Sequence, residues 1–108
     1  MKKVLSVLAV ILCFAAVVSS ADATALLVQD VNPWGYASNQ NTMTALGISY
    51  TTSNYASADW TNLCAYDFVL LVAGDRNGDA YYNNAVSHLS DLANYVSCGG
   101  LLLIHYAP

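Results

Sequence analysis

Five polar side chains follow the apolar runs of this 108-residue sequence closely enough to form a binding site. They are Asp30, Asp75, Arg76, His105 and Tyr106. Two carboxylates, a guanidinium, an imidazole and a phenol in one crevice would support acid–base chemistry or bind a polar ligand. Strand ends without any site carry such residues too. In that alternative the two aspartates cap loops and the arginine pairs with either of them.

His105 is the candidate catalytic residue, because the apolar run 101–104 delivers its titratable ring to the rim of the core. The alternative is a core-edge histidine that is hydrogen-bonded to a backbone carbonyl. His88 lies on the polar side of a predicted helix, where we expect it to be solvated. Neither histidine has a cysteine or an acid at ligand spacing, so no metal site is predicted.

Several motifs of enzymes are missing from the sequence. It has no G-x-G-x-x-G and no Walker loop, so no nucleotide or other cofactor is indicated. It has no G-x-S-x-G or G-x-C-x-G elbow, the turn that exposes a nucleophile. The sequence therefore favours a non-catalytic role.

The elements that must position these residues alternate between strands and helices. Apolar or β-branched runs predict strands at 25–30, 48–53, 66–75 and 101–106. A helix is predicted from Ser38 or Asn39, as N-cap, to about Leu46, with Gly47 as its left-handed stop. One helical turn at 59–63 would pack under the sheet through Trp60 and Leu63.

The clearest helix signal covers residues 80–97. Apolar residues recur at three- and four-residue intervals, which predicts one face against the sheet: Ala85, Val86, Leu89, Leu92, Ala93 and Val96. Asn84, His88, Asp91 and Tyr95 would lie on the other side, and Asp79 would cap the helix. The other tyrosines, Tyr36, Tyr55, Tyr81 and Tyr82, fit scattered surface positions better than a carbohydrate-stacking surface.

This element order predicts an α/β fold, a three-layer sandwich around a parallel, flavodoxin-like sheet with the spatial order 2-1-3-4. The carboxyl ends of its strands would gather the polar residues described above. The last strand is too apolar for an outer edge. We therefore expect the sheet to be incomplete, with a fifth strand and a helix after Pro108. A dimer that pairs these edges is the alternative.

The N-terminus resembles a secretory signal peptide over residues 1–23. Lys2 and Lys3 precede an apolar run, and cleavage is expected after Ala23 or Ala21. An uncleaved membrane anchor is the alternative. The remainder, residues 24–108, would be one domain that is secreted, periplasmic or on the cell surface. The formal net charge is −4, and Arg76 is the only basic residue after the leader apart from histidine, which excludes nucleic acid as a partner.

Cys64 and Cys98 remain after the leader is removed. Both precede the amino ends of strands that are predicted to be neighbours, about 4.8 Å apart. That spacing is compatible with a disulfide in an exported protein. The alternative is two buried free thiols.

The same segments resemble the class I glutamine amidotransferase-like fold, and within it the ThuA-like (trehalose-utilisation-type) domains. The matching runs are 25–30, 45–47, 66–70 and the stretch from Tyr95-Val96 through Gly99-Gly100 to His105. This resemblance implies an amidotransferase-like module, with His105 as the match to a ThuA-like histidine. The family's cysteine elbow has no counterpart in this sequence, so amidotransferase activity is not expected.

Three functions are therefore considered. The first is an exported, non-catalytic amidotransferase-like module that binds or scaffolds. The second is a fragment of a ThuA-like, sugar-active enzyme, and the third is a structural or adhesive surface domain. The predicted partner is a carbohydrate or another polar small molecule, together with the rest of the domain or a dimer partner along the last strand.

Overall fold

The structure, a computed structural model, describes residues 22–74 and 78–107. The predicted signal sequence falls almost entirely outside this part of the chain. The strands are β1 (Thr24–Val28), β2 (Ser49–Ser53), β3 (Phe68–Gly74) and β4 (Leu101–Ala107). The helices are α1 (Ser38–Ala45), α2 (Gly78–Ser87) and α3 (Leu89–Ser97), with two 3₁₀ segments, η1 (Pro33–Gly35) and η2 (Trp60–Ala65).

The described strands form one parallel sheet in the order β2-β1-β3-β4. This confirms the predicted α/β class and the predicted strand order. Leu27 of β1 lies opposite Thr52 of β2 and Leu70 of β3, and Leu70 lies opposite Leu103 of β4. The carboxyl ends of all four described strands therefore lie at the same edge of the sheet.

The two faces of the sheet bury separate apolar clusters, because successive strand residues point to opposite faces. On one face Ala25, Leu27 and Val72 pack with Met43 of α1. On the other face the strands pack against α2, α3 and η2. The arrangement is a sheet between two helical layers.

The region around α1 follows the sequence prediction at its end and departs from it at its start. Gly47 has a φ of 70°, the left-handed conformation that the predicted stop requires. The N-cap position is held by Ala37, and no side chain caps the helix there. The prediction of Ser38 or Asn39 as the cap was therefore wrong.

The predicted turn under the sheet is confirmed. The carboxylate of Asp59 accepts a hydrogen bond from the backbone N of Thr61 at 3.2 Å, which caps η2. Trp60 and Leu63 are buried in the cluster on that face.

The helix predicted over residues 80–97 is two helices, since His88 takes a non-helical conformation between them. Ala85 and Leu92 are buried as predicted, but Val86, Leu89 and Val96 are about half exposed. Tyr95, predicted to face outward, is only 1% exposed. Its hydroxyl donates to the carbonyl O of Tyr66 at 2.9 Å. With Tyr95 turned inward in this way, the most apolar side of α3 does not face the sheet.

Two further details of these helices differ from the prediction. Asp79 lies inside the first turn of α2, where its charge favours the helix N-terminus, since α2 begins at Gly78. His88 is only partly exposed, because its ring stacks on that of Trp60.

The strand β4 lies at one edge of the described sheet, with most of its apolar side chains exposed. Within residues 22–74 and 78–107, no helix has the length and apolar character needed to cross a membrane.

Candidate functional site

The residues predicted to bind a ligand are placed unequally by the structure. Asp30 lies two residues beyond β1, and His105 and Tyr106 lie near the end of β4. Asp75 and Arg76 fall outside the described residues. His105 and Tyr106 are successive strand residues, so their side chains leave opposite faces of the sheet. His105 and Tyr106 therefore lie on different faces of the sheet, and a crevice shared by all five residues stays a prediction.

Asp30 is tied to the loop after β2. Its Oδ1 accepts a hydrogen bond from the backbone N of Tyr55 at 2.9 Å. This is the loop-capping role that the sequence left open as an alternative. The carboxylate is exposed, so a ligand can still reach its other oxygen.

His105 lies on the α1 face beside Trp34. The ring centroids are 6.4 Å apart, and both rings are exposed. The backbone of Trp34 has a φ of 51°, a conformation that a bulky residue rarely adopts. The chain thus holds a large aromatic ring in solvent next to the imidazole.

A network of amide side chains supports this loop. Gln29, which is buried, donates from Nε2 to Oδ1 of Asn32 at 2.9 Å, and Gln40 donates to the same oxygen at 2.9 Å. Asn39 donates to Oε1 of Gln29 at 3.4 Å. Within the described chain, Oε1 of Gln40 is buried without a hydrogen-bond partner. This network was not predicted from the sequence, where four amide side chains between positions 29 and 40 are the signal for it.

The other face of the β4 end carries a cavity of about 520 Å³. Among the described residues it is lined by Asp79, Tyr81, Tyr82 and Tyr106. The rings of Tyr81 and Tyr106 lie 6.1 Å apart between centroids. Tyr81 and Tyr82 are thus not scattered, as the sequence indicated, but share a concave surface with Tyr106. Three phenols and one carboxylate can stack on a ligand and form hydrogen bonds with it.

Tyr55 packs against Tyr81 and is buried, although the sequence placed it at the surface. Its ring meets that of Tyr81 edge to face at 5.9 Å, and its hydroxyl donates to the carbonyl O of Val72 at 2.8 Å. Burial raises the pKa of Tyr55 well above its ordinary value, and the nearby Tyr81 and Asp30 raise it further. The hydroxyl therefore stays protonated and acts as a hydrogen-bond donor.

The opposite end of the sheet holds the two cysteines. Both are exposed free thiols in the structure, so buried thiols are not what it contains. They line a cavity of about 220 Å³ together with Tyr95. The pKa of Cys64 is raised, chiefly by local desolvation and also by a hydrogen bond with the side chain of Cys98. The two thiols are neighbours, as the strand order predicts, and the bridge itself stays a prediction.

The described residues contain no group of three or more His, Cys, Asp or Glu side chains that could hold a metal ion. Comparison of the chain with protein-family models, curated proteins and solved structures finds no match. The class that the structure itself defines is a parallel α/β protein with an aromatic surface at the carboxyl edge of its sheet.

Proposed function

We propose that this chain is an exported, non-catalytic α/β module of the amidotransferase-like type, and that it binds a neutral saccharide at the carboxyl edge of its sheet. The observation that carries this proposal is the cavity lined by Asp79, Tyr81, Tyr82 and Tyr106. Phenol rings offer apolar faces to sugar C–H groups and hydroxyls to sugar oxygens. The Asp79 carboxylate adds a hydrogen-bond acceptor for sugar hydroxyl groups.

The charge of the chain agrees with a neutral ligand. The formal net charge is −4, which disfavours anionic ligands such as phosphorylated sugars. The ring of Tyr81 is held by edge-to-face contact with the buried Tyr55, so part of the cavity wall is fixed before a ligand arrives.

The proposal is tested by calorimetric titration of neutral mono- and disaccharides into the purified chain. Tyr82→Ala or Tyr106→Ala should weaken the affinity roughly three- to tenfold, the effect of losing one aromatic contact. Tyr36→Ala is the matched control, because Tyr36 is also exposed but does not line the cavity. If no saccharide binds, or if the cavity variants bind like the control, the saccharide proposal is wrong.

A second candidate, a ThuA-like sugar-active enzyme, is favoured by the exposed His105 beside Trp34. Incubation of the chain with the same saccharides distinguishes the two. Chemical change of a sugar that stops in His105→Ala would establish the enzyme and contradict the non-catalytic module. Unchanged sugars are expected.

Export is tested separately, by the N-terminal sequence of the protein recovered outside the cytoplasm. We expect it to begin at Asp22 or Thr24, after cleavage at Ala21 or Ala23. Recovery of the intact N-terminus in the membrane fraction would instead support an uncleaved anchor.

A further inference from the structure

The first residue of β1 is held by Asp67 through three hydrogen bonds. Oδ2 of Asp67 accepts from the backbone N of Thr24 at 2.7 Å and from its Oγ1 at 3.2 Å. The backbone N of Asp67 donates in turn to the carbonyl O of Thr24 at 2.9 Å. Asp67 directly precedes β3, the strand that pairs with β1. One carboxylate therefore fixes the residue at which β1 begins.

Thr24 is also the first residue that remains if a signal peptidase cuts the leader after Ala23. Hydrolysis of the peptide bond between Ala23 and Thr24 adds one water, which leaves a carboxylate on Ala23 and an amine on Thr24. That amine is protonated at neutral pH, since the ordinary pKa of an α-amino group is about 8. The nitrogen that lies 2.7 Å from Oδ2 of Asp67 thereby becomes an ammonium. Hydrogen bonds between an ammonium and a carboxylate are about 2.7–2.9 Å long, so neither group has to move.

Cleavage at this position removes little that holds the fold. The carbonyl O of Ala23 accepts from the backbone N of Ser49 at 3.2 Å, and this hydrogen bond is lost. Ser49 is exposed, so water can take the place of that carbonyl. Asp22, an exposed acid two residues before Thr24, leaves with the leader. The mature chain therefore exchanges one neutral hydrogen bond for a charge-assisted one.

The described surroundings of Asp67 offer it no other cation. No lysine or arginine is among the residues that the structure describes. The described histidines meet other groups, His88 the carboxylate of Asp91 and His105 the ring of Trp34. The ionisable groups in the cavity beside Asp67 are two thiols and two phenols, which carry no positive charge in either protonation state. They belong to Cys64, Tyr66, Tyr95 and Cys98.

We propose that the leader is removed after Ala23 and that Asp67 binds the mature N-terminus, as an ion pair with the α-ammonium of Thr24. This inference rests on the proposed export of the chain. It does not depend on the saccharide site, which lies at the opposite, carboxyl edge of the sheet.

The ion pair makes a small contribution to stability because Asp67 is exposed. We expect it to lower the equilibrium constant of unfolding about two- to fivefold. The contribution is present at pH 7, below the ordinary α-amino pKa of about 8. It is lost at alkaline pH, once the amine of the folded chain releases its proton.

The proposal is tested on the exported product of the full chain. N-terminal sequencing should give Thr24 as the first residue. Titration of its α-amino group by NMR should then show a pKa at least about half a unit above the ordinary value of about 8. Asp67→Asn keeps an acceptor oxygen but removes the charge, and should return this pKa to its ordinary value. Asp91→Asn is the matched control and should not change it, because the carboxylate of Asp91 meets His88.

A second measurement separates the charge from the hydrogen bonds. Ala23→Gln puts a large residue at the cleavage position and should move cleavage to Ala21, which leaves the nitrogen of Thr24 as an ordinary amide. In urea unfolding at pH 7, Asp67→Asn should raise the equilibrium constant of unfolding about two- to fivefold more in the chain that begins at Thr24 than in the one that begins at Asp22. Asp91→Asn should have the same effect in both chains.

Three results would overturn the proposal, and they differ in what they say about export. An α-amino pKa that does not respond to Asp67→Asn, or equal effects of Asp67→Asn in the two chains, would contradict the ion pair. A product of the unchanged chain that begins at Asp22 would contradict this inference and leave export standing. A product with an intact leader would contradict both.

Discussion

The imidazole of His88 lies nearly parallel to the indole of Trp60, with ring centroids 4.9 Å apart and an interplanar angle of 12°. The same imidazole meets the carboxylate of Asp91 at 3.0 Å. His88 lies at the break between α2 and α3, and Trp60 begins η2. The contact therefore joins the helical break to the layer beneath the sheet.

This stacking predicts an energetic coupling between the two rings. Trp60→Ala should cost about 3–5 kcal/mol of unfolding free energy, as for a buried aromatic residue. His88→Ala should cost about 1 kcal/mol, and a double-mutant cycle should give a coupling of about 0.5–1.5 kcal/mol. Urea unfolding measures these values. His105→Ala, an exposed histidine, is the control and should change stability by less than about 0.5 kcal/mol. A coupling of zero would contradict the stacking.

Because Tyr55 is buried, we expect the free energy of unfolding to fall at alkaline pH. Its pKa in the folded chain is raised by burial, whereas in the unfolded chain it is near 10. Above about pH 10 the unfolded chain loses this proton and the folded chain keeps it, so rising pH favours unfolding. Below that pH the stability from Tyr55 is fully present. Tyr95 also has a raised pKa and should add to the effect.

Tyr55→Phe separates this titration from the packing of the ring. The variant loses the hydrogen bond to Val72, at a cost of about 1 kcal/mol near pH 8. Its melting temperature should then fall less steeply above pH 10 than that of the unchanged chain. Tyr36→Phe should follow the unchanged chain at every pH, because Tyr36 is exposed. Parallel curves for all three proteins would rule out a titrating Tyr55.

The ring of Tyr95 is predicted to disfavour any side chain at position 100. A Cβ atom at Gly100 would overlap the ring carbons Cε1, Cε2 and Cζ of Tyr95. Gly100→Ala should therefore cost about 1–3 kcal/mol, as overpacking does. The penalty should shrink in a Tyr95→Leu background, since leucine lacks those atoms.

The neighbouring Gly99 is the control for this pair. It has a φ of 92°, and a Cβ atom added to it would meet no other atom within 4 Å. Gly99→Ala should cost about 1 kcal/mol for backbone strain, and this cost should be the same with Tyr95 or leucine at position 95. Equal penalties for Gly100→Ala in both backgrounds would contradict the steric explanation.

Cys64 and Cys98 are predicted to form a disulfide in exported material. Each thiol would lose one hydrogen, so intact mass should fall by two hydrogens under non-reducing conditions. In the chain-entropy model the closed loop contributes about 3–4 kcal/mol, which reductant should remove. A chain with Cys64→Ser and Cys98→Ser should show no response to reductant. Free thiols in oxidised, exported protein would refute the bridge.

The sequence was sufficient for the sheet and for several local features. Continuous apolar runs predicted the strands, and their alternation with helices predicted the order 2-1-3-4, because right-handed crossovers leave few alternatives. The helix stop at Gly47 and the turn containing Trp60 and Leu63 were also predicted. These local features depend on residues that lie within a few positions of one another.

The candidate site depended on contacts between distant parts of the chain. Tyr81 and Tyr106 belong to different elements, and they share a cavity because α2 packs against β3 and brings the ring of Tyr81 beside that of Tyr106 on the neighbouring strand. Likewise, His105 meets Trp34 across more than seventy positions. The spacing of such residues along the sequence carries no information about these pairs.

The sequence by itself determined the parallel sheet, the side of it on which polar residues gather and the apolar character of β4. Only the tertiary structure decided how α3 is rotated. The hydroxyl of Tyr95 donates to the carbonyl of Tyr66, directly after η2, and the ring of His88 stacks on Trp60 of η2; these contacts outweigh the apolar periodicity that would bury Leu89 and Val96. Local periodicity records which residues avoid water, whereas the partner that covers them is chosen by packing between elements.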